Sequence, residues 1–108
     1  MTAVEGTSMN RYIAIAGPVN DARCAVAARF LERGYVVAEG LTGQVSADRV
    51  RAAGGLVVHV VEAGHQAIAS HERVYGIDFA ECDAIVLWRG ADDIGAAVDG
   101  ILKRRCMS

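Results

Sequence analysis

The residues with the clearest chemical potential follow the first apolar run of the chain. That run, Tyr12 to Ala16, leads into Gly17-Pro18-Val19-Asn20-Asp21-Ala22-Arg23-Cys24, which opens a helical stretch. Backbone N–H groups at the start of a helix, together with the helix dipole, can hold a phosphate. The glycine and its position therefore indicate a phosphate-binding loop, with an ordinary strand-to-helix turn as the alternative.

This segment departs from the nucleotide-binding pattern G-x-x-x-x-G-K-[ST] after its first glycine. Ala22 replaces the second glycine, Arg23 the lysine and Cys24 the hydroxyl residue that holds Mg²⁺. A guanidinium still binds phosphate, but a thiol is a poor ligand for a hard cation. We predict phosphate binding by Gly17, Asn20, Arg23 and Cys24, with weak or no phosphoryl transfer. A nucleoside triphosphate is the cofactor that such a loop suggests, and the case for Mg²⁺ is weak.

Strand and helix signals alternate along the chain. Apolar or β-branched runs predict strands over 12–16, 35–38, 56–61 and 84–88, and helical spacing predicts helices over 21–33, over 46–53 with Ser46 as the cap, and from Asp92 onward. Residues 63–80 are predicted as a loop with at most a helical turn. Strands separated by helices indicate an α/β fold: three layers, with a mostly parallel four-stranded sheet, helices on both faces and a P-loop-like or Rossmann-like core.

Composition limits the classes of protein that this chain can represent. It has 108 residues, 11 Lys and Arg against 13 Asp and Glu, and three cysteines without paired metal-ligand spacing. We expect a flexible leader over 1–10 and a single domain over 11–108. The basic residues are dispersed, and no apolar run approaches the length of a membrane span, so neither a nucleic acid nor a membrane is an expected partner. The thiol count and the lack of a secretory leader favour the cytoplasm.

Residues 11–35 and five later segments carry a resemblance to a known family. The segments are Ala52-Ala53-Gly54-Gly55-Leu56-Val57-Val58-His59-Val60, Ser70-His71-Glu72, Asp83-Ala84-Ile85-Val86, Gly90-Ala91-Asp92-Asp93-Ile94 and Val98-Asp99-Gly100-Ile101-Leu102. They resemble the C-terminal half of bacteriophage-type deoxynucleoside monophosphate kinases, and residues 11–35 resemble the first strand, phosphate loop and first helix of that family. The resemblance implies a deoxynucleotide as the ligand. The middle of the family, which carries much of the acceptor site and an aspartate for Mg²⁺, is missing between Glu39 and Ser46, so the resemblance implies a shortened core of four strands.

A second resemblance is carried by three segments: Tyr12 to Pro18, with Ala16-Gly17-Pro18 at the strand end, Cys82-Asp83-Ala84-Ile85-Val86-Leu87 and Gly95-Ala96-Ala97-Val98-Asp99. They resemble another class of enzyme, the nucleoside 2-deoxyribosyltransferase-like proteins. In that family a glutamate attacks the sugar carbon, and Asp99 stands at its position, one methylene shorter. A carboxylate can act as a covalent nucleophile at an anomeric carbon. The alternative for Asp99 is the solvated face of a helix.

Two further pairs of residues are candidates for ligand binding. His71 and Glu72 are expected in a loop at the carboxyl end of the sheet, and Trp88 with Arg89 at the end of the last strand could stack on a base. The alternatives are a surface loop and simple packing, and His59 is expected as a hydrogen-bonded core or edge histidine. A non-enzymatic role also stays open, because a shortened core leaves a sheet edge that a homodimer or another partner would cover.

Overall fold

In the computed structural model, which describes residues 12–17, 21–62, 67–88 and 94–107, four strands and four helices alternate along the chain. The strands are β1 (Tyr12–Ala16), β2 (Val36–Glu39), β3 (Leu56–Glu62) and β4 (Ala84–Trp88), and the helices are α1 (Asp21–Glu32), α2 (Gln44–Ala52), α3 (Ala67–Tyr75) and α4 (Ile94–Met107). The predicted α/β fold is therefore confirmed.

The strands pair in the order β2-β1-β3-β4, and every pairing is parallel. Ile13 aligns with Leu56 of β3 on one side and with Val37 of β2 on the other. This is one of the common orders of a doubly wound open sheet, in which the chain leaves β1 towards one edge and β3 towards the other. It leaves β2 and β4 as the edge strands of this sheet.

Two groups of buried side chains cover the sheet. Since successive residues of a strand point to opposite faces, Ile13, Ile15, Val58 and Val60 belong to one group and Ala14, Ala16 and Val57 to the other. The first group packs on α1 and α4, and the second packs on α2 and on Ile77. Within α1 the buried positions Ala22, Val26 and Phe30 recur every four residues, which gives the helix one apolar stripe.

The segment after β3 differs from the loop predicted for residues 63–80. Residues Ala67–Tyr75 form helix α3, and Gly76, with φ of 65°, follows its last residue. A glycine that was interpreted as interrupting the segment is thus the residue at which the helix ends. The apolar periodicity was hard to recognise because a histidine, His71, occupies a buried position of this short helix.

Helix α2 also begins earlier than predicted. Its first residue is Gln44, and Gly43, with φ of 90°, stands at the N-cap position that was assigned to Ser46. Ser46 instead lies exposed within the first turn. The side chain of Gln44 accepts a hydrogen bond from the backbone N–H of Asp78 (2.8 Å), so a contact that is distant in sequence holds the start of the helix.

The other helices agree with the predictions to within a few residues. Helix α1 ends at Glu32, and α4 is described from Ile94 onward, while residues 89–93 lie outside the described part of the chain. In the parts that the structure describes, none of the helices combines the length and the apolar character needed to cross a bilayer.

Candidate functional site

The strand order places a topological switch point at the carboxyl ends of β1 and β3. The helix that follows β1 packs on the face that carries Ile13 and Ile15, whereas Tyr75 of α3 packs on the opposite face. Ligands of open α/β sheets bind beyond the carboxyl ends of two neighbouring strands whose connections go to opposite faces. We name this position the switch-point crevice and define it by Gly17, Arg23, Glu39, Glu62 and Tyr75.

Arg23 connects three elements at this edge. Its Nε donates a hydrogen bond to Oε1 of Glu39, the last residue of β2, at 3.1 Å, and its Nη1 donates to the carbonyl oxygen of Gly17 at 3.3 Å. The side chain of Arg23 is only 14% exposed. The guanidinium therefore borders the crevice in a defined position, with its charge opposed by a carboxylate.

Gly17 is required by packing at the point where β1 approaches β3. A Cβ atom added at Gly17 would lie 2.7 Å from the carbonyl oxygen and 2.9 Å from the Cβ of Val60, both closer than atoms in contact allow. The glycine that suggested a phosphate loop thus has a sufficient structural explanation in the contact between the two strands. That explanation leaves the predicted phosphate contact open.

Tyr75 forms the α3 side of the crevice. It is half-buried, and burial raises the pKa of its phenol; the Arg23 guanidinium lowers that pKa and the Glu62 carboxylate raises it further. The phenol is therefore within electrostatic range of both charged groups. The backbone carbonyl of Tyr75 accepts a hydrogen bond from the N–H of Gly43 (2.9 Å), which fixes the end of α3 against the start of α2.

Carboxylates outnumber guanidinium groups at this edge in the described part of the chain. Glu39 and Glu62 end β2 and β3, the two strands that flank β1, and Asp21 occupies the first turn of α1. Opposite these carboxylates lies the guanidinium of Arg23. This charge distribution suits a ligand with hydroxyl or N–H donors better than a dianion, because carboxylates accept hydrogen bonds and repel phosphate.

Of the other residues predicted for phosphate or ligand binding, the structure describes Cys24, His71, Glu72 and the backbone of Trp88. Cys24 is exposed on α1. Glu72 is half-buried and accepts a hydrogen bond from the backbone N–H of Phe79 (3.1 Å). Trp88 ends β4, and its side chain, like the whole of Asn20 and Arg89, lies outside the described residues.

Asp99, the candidate nucleophile of the second resemblance, lies away from the crevice. Its carboxylate forms an ion pair with Arg33, and both side chains are partly exposed. Arg33 directly follows the last residue of α1, at the end of that helix opposite to Asp21. This arrangement corresponds to the alternative reading of Asp99 as part of a solvated helix face.

A chain of buried polar side chains lies below the crevice, on the face covered by α2 and α3. Nε2 of His59 lies 2.8 Å from Oδ2 of Asp83, and Nδ1 of His59 lies 3.1 Å from Nε2 of His71. His59 is 0% and His71 5% exposed. Arg51 of α2 completes the cluster, donating from Nε to Oδ1 of Asp83 at 3.0 Å and from Nη2 to Oδ2 at 2.5 Å. We name Asp83, His59 and His71 the buried histidine chain.

The hydrogen-bond geometry fixes one proton of the two imidazoles. An ionised Asp83 can only accept, so His59 donates from Nε2, and one N–H lies between Nδ1 of His59 and Nε2 of His71. Burial opposes ionisation of Asp83, but hydrogen bonds from His59, from Arg51 and from the N–H of Ala80 outweigh burial and lower its pKa to about 2. Burial, assisted by the nearby His59, lowers the pKa of His71 to about 4. Near neutral pH, His71 is therefore uncharged.

The expectation for His59, a hydrogen-bonded histidine of the core, is confirmed. Its partners were missed, and His71 was expected in a ligand-binding loop at the carboxyl end of the sheet, whereas it is a buried residue of helix α3. One signal was available: a histidine inside the apolar run of β3 must have a polar partner, and Asp83 stands at the start of the neighbouring strand. Nothing in the sequence identifies Arg51 as the residue that neutralises Asp83, since 32 positions separate them.

Among the described residues, no three His, Cys, Asp or Glu side chains are grouped as ligands for a metal ion. Comparison of the chain with protein-family models, with curated proteins and with solved structures finds no match. The function must therefore be argued from the site itself.

Proposed function

We propose that this protein binds a deoxynucleoside in the switch-point crevice. The observation that carries the proposal is the convergence of Arg23, Glu39, Glu62 and Tyr75 beyond the carboxyl ends of β1, β2 and β3. Sites of this kind combine an apolar or aromatic wall with a few polar groups that orient the ligand. Here the ring of Tyr75 provides the wall, and the two carboxylates accept hydrogen bonds from sugar hydroxyls or from base N–H groups.

The choice of a deoxynucleoside rests on what the two sequence resemblances have in common. Both families handle a deoxynucleoside unit, and they differ in whether a phosphate takes part. Among the described residues of the crevice, the guanidinium of Arg23 is already paired with Glu39, so we expect binding energy to come from the sugar and the base. Two acidic strand ends would weaken the binding of a phosphate dianion.

A second candidate, binding of a deoxynucleotide through its phosphate, is favoured by one observation. The guanidinium of Arg23 is held at the carbonyl of Gly17, at the end of β1 where a phosphate would meet the start of α1. For this candidate, phosphate would have to displace Glu39 from Arg23. Glu39 therefore hinders binding in the second candidate and assists binding in the first, so a substitution of Glu39 distinguishes them.

The test is calorimetric titration and thermal unfolding with thymidine, deoxycytidine, deoxyadenosine and deoxyguanosine, and with their 5′-mono- and triphosphates, with and without Mg²⁺. We expect a deoxynucleoside to raise the melting temperature in a concentration-dependent way without Mg²⁺. No response of the wild-type chain to any of these compounds would refute the proposal.

Glu39→Gln is the discriminating variant, because it removes the charge that opposes Arg23 and keeps a side chain of similar shape. If the site binds phosphate, Glu39→Gln will raise the affinity for the nucleotides and leave the affinity for the nucleosides unchanged. If Glu39 binds the sugar, the variant will lower the affinity for the nucleosides. Glu32→Gln, an exposed change at the far end of α1, is the matched control and should alter neither.

A further inference from the structure

The buried histidine chain contains more polar groups than the fold requires. The pair of Asp83 with Arg51 has a clear structural role, because Arg51 also donates to the carbonyl of Asp78 (2.9 Å) and Asp83 accepts from the N–H of Ala80 (3.1 Å), so together they hold the segment that leads into β4. His59 adds one more hydrogen bond to Asp83, whereas His71 is bonded to His59. Buried polar networks are costly unless fully bonded, and an apolar side chain at His59 would suit an otherwise apolar strand.

The histidine chain leads from the interior towards the crevice. His59 holds His71 through the 3.1 Å contact between Nδ1 and Nε2. The ring of His71 in turn packs against the ring of Tyr75, with centroids 4.7 Å apart, while Phe79 stacks on His71 at 5.6 Å. Tyr75 is thus the residue in this arrangement that contacts the histidine chain and also borders the crevice.

We propose that His71 is a positioning residue for the switch-point crevice: its neutral ring, oriented by His59 and Asp83, holds Tyr75 against the ligand, and ligand affinity falls when His71 is protonated. This inference rests on the proposed function for its ligand, although the link between His71 and Tyr75 can be measured without one. It concerns a side chain that does not itself reach the crevice.

We expect affinity to fall on protonation of His71 because the surroundings of its ring do not favour a positive charge. An imidazolium in this interior would be poorly hydrated and would lie beside His59. We therefore expect protonation to displace the ring of His71 from His59, and Tyr75, which packs on that ring, to move with it. The titratable and charged groups that face His71 are His59 from β3, Asp83 from the start of β4 and, behind Asp83, Arg51 from α2, with Glu72 and Tyr75 from α3 itself.

The experiment is calorimetric titration of the four deoxynucleosides at pH 7 and pH 4 with the wild type, His71→Gln and Tyr75→Phe. Glutamine keeps an N–H donor for His59 but does not titrate. We expect wild-type affinity to fall about two-fold from pH 7 to pH 4, because a group with a pKa of about 4 is half protonated there, and the affinity of His71→Gln to fall less. Thermal unfolding at each pH verifies that the titrated protein is folded. Equal affinity of the wild type at both pH values, or the same fall in His71→Gln, would overturn the inference.

A ligand-free measurement separates this inference from the proposed function. Ring proton resonances of Tyr75, assigned by their loss in Tyr75→Phe, are followed by NMR as the pH is lowered. We expect them to move with the ionisation of His71 and to stay fixed in His71→Gln. If they follow His71 while no deoxynucleoside binds, the positioning role stands and the proposed function fails. If they do not respond, the positioning role is refuted even when a deoxynucleoside binds.

Discussion

Stability of this protein should fall steeply with acidification because of one buried histidine. His71 has an ordinary pKa of 6.5, which applies to the unfolded chain, and a pKa of about 4 in the folded protein, lowered mainly by burial and secondly by His59. Between these values the unfolded chain binds a proton that the folded protein does not bind. The free energy of unfolding therefore decreases as the pH falls through this range.

The magnitude follows from the difference between the two pKa values. Each pKa unit corresponds to about 1.4 kcal/mol, so the full loss is about 3 kcal/mol, of which about 2 kcal/mol develops between pH 7 and pH 5. Asp83 does not contribute in this interval. Its folded pKa is lowered from 3.8 to about 2, so the stability that it provides is present above pH 3.8 and is lost only as the pH falls from there towards 2.

The assay is urea unfolding followed by circular dichroism at pH 7, 6 and 5. Wild type should lose about 2 kcal/mol of unfolding free energy between pH 7 and pH 5. His71→Gln and His71→Phe should show a much smaller change; the first keeps the hydrogen bond to His59 and the second keeps the contacts with Phe79. Ala69→Gln places the same amide on the exposed side of α3 and should retain the wild-type decrease.

Absolute stabilities of the variants do not matter for this test, since removal of the hydrogen bond to His59 lowers stability at every pH. The comparison concerns the change between pH 7 and pH 5. An unchanged wild type, or an equal decrease in both His71 variants, would refute the assignment of His71 as a buried neutral base.

Three other substitutions test separate parts of the structure. Arg51→Met should lower the unfolding free energy by about 3 kcal/mol, because the carboxylate of Asp83 loses its buried partner; a loss under about 1 kcal/mol in urea unfolding would contradict this pairing. Gly17→Ala should lower the unfolding free energy by roughly 1–3 kcal/mol, since the new methyl group would overlap Val60 of β3. A variant with the wild-type melting temperature would show that β1 and β3 accommodate the methyl group without loss of stability. Asp99→Asn should change the unfolding free energy by less than about 1 kcal/mol, because the ion pair of Asp99 with Arg33 is partly exposed. The variant should also bind deoxynucleosides as the wild type does; a loss of binding would show that Asp99 belongs to the ligand site.

The agreement between predicted and observed strands has a local cause. A run such as Leu56 to Val61 is β-branched and apolar throughout, and burial on both faces of a central strand requires such a run. The beginning of α1 after Gly17 follows in the same way from a strand, a glycine and a helical stripe. For α3 the local signal failed, because its inner position is occupied by His71, and a polar residue at that place is satisfied only by a partner that the fold supplies.

The candidate site also has one part that a local motif identifies and another part that only the fold brings together. Gly17 and Arg23 were recognised as a potential site from a motif in eight consecutive residues, whereas Glu39, Glu62 and Tyr75 were not. These three lie on different elements, and only the parallel pairing of β2, β1 and β3 brings them to one edge. The structure also changes the interpretation of Arg23. The motif predicts that Arg23 binds phosphate, whereas in the structure its guanidinium is paired with the carboxylate of Glu39.

The sequence by itself determined the alternation of strands and helices and the central position of β3, because hydrophobic periodicity and glycine placement act over a few neighbouring residues. Only the tertiary structure decided the strand order, the helical state of residues 67–75 and the joining of Arg51, His59, His71 and Asp83. These features depend on pairs far apart in the chain, whose free energy exists only after the sheet has formed. The charge state of His71 belongs to the second group, since burial is a property of the fold.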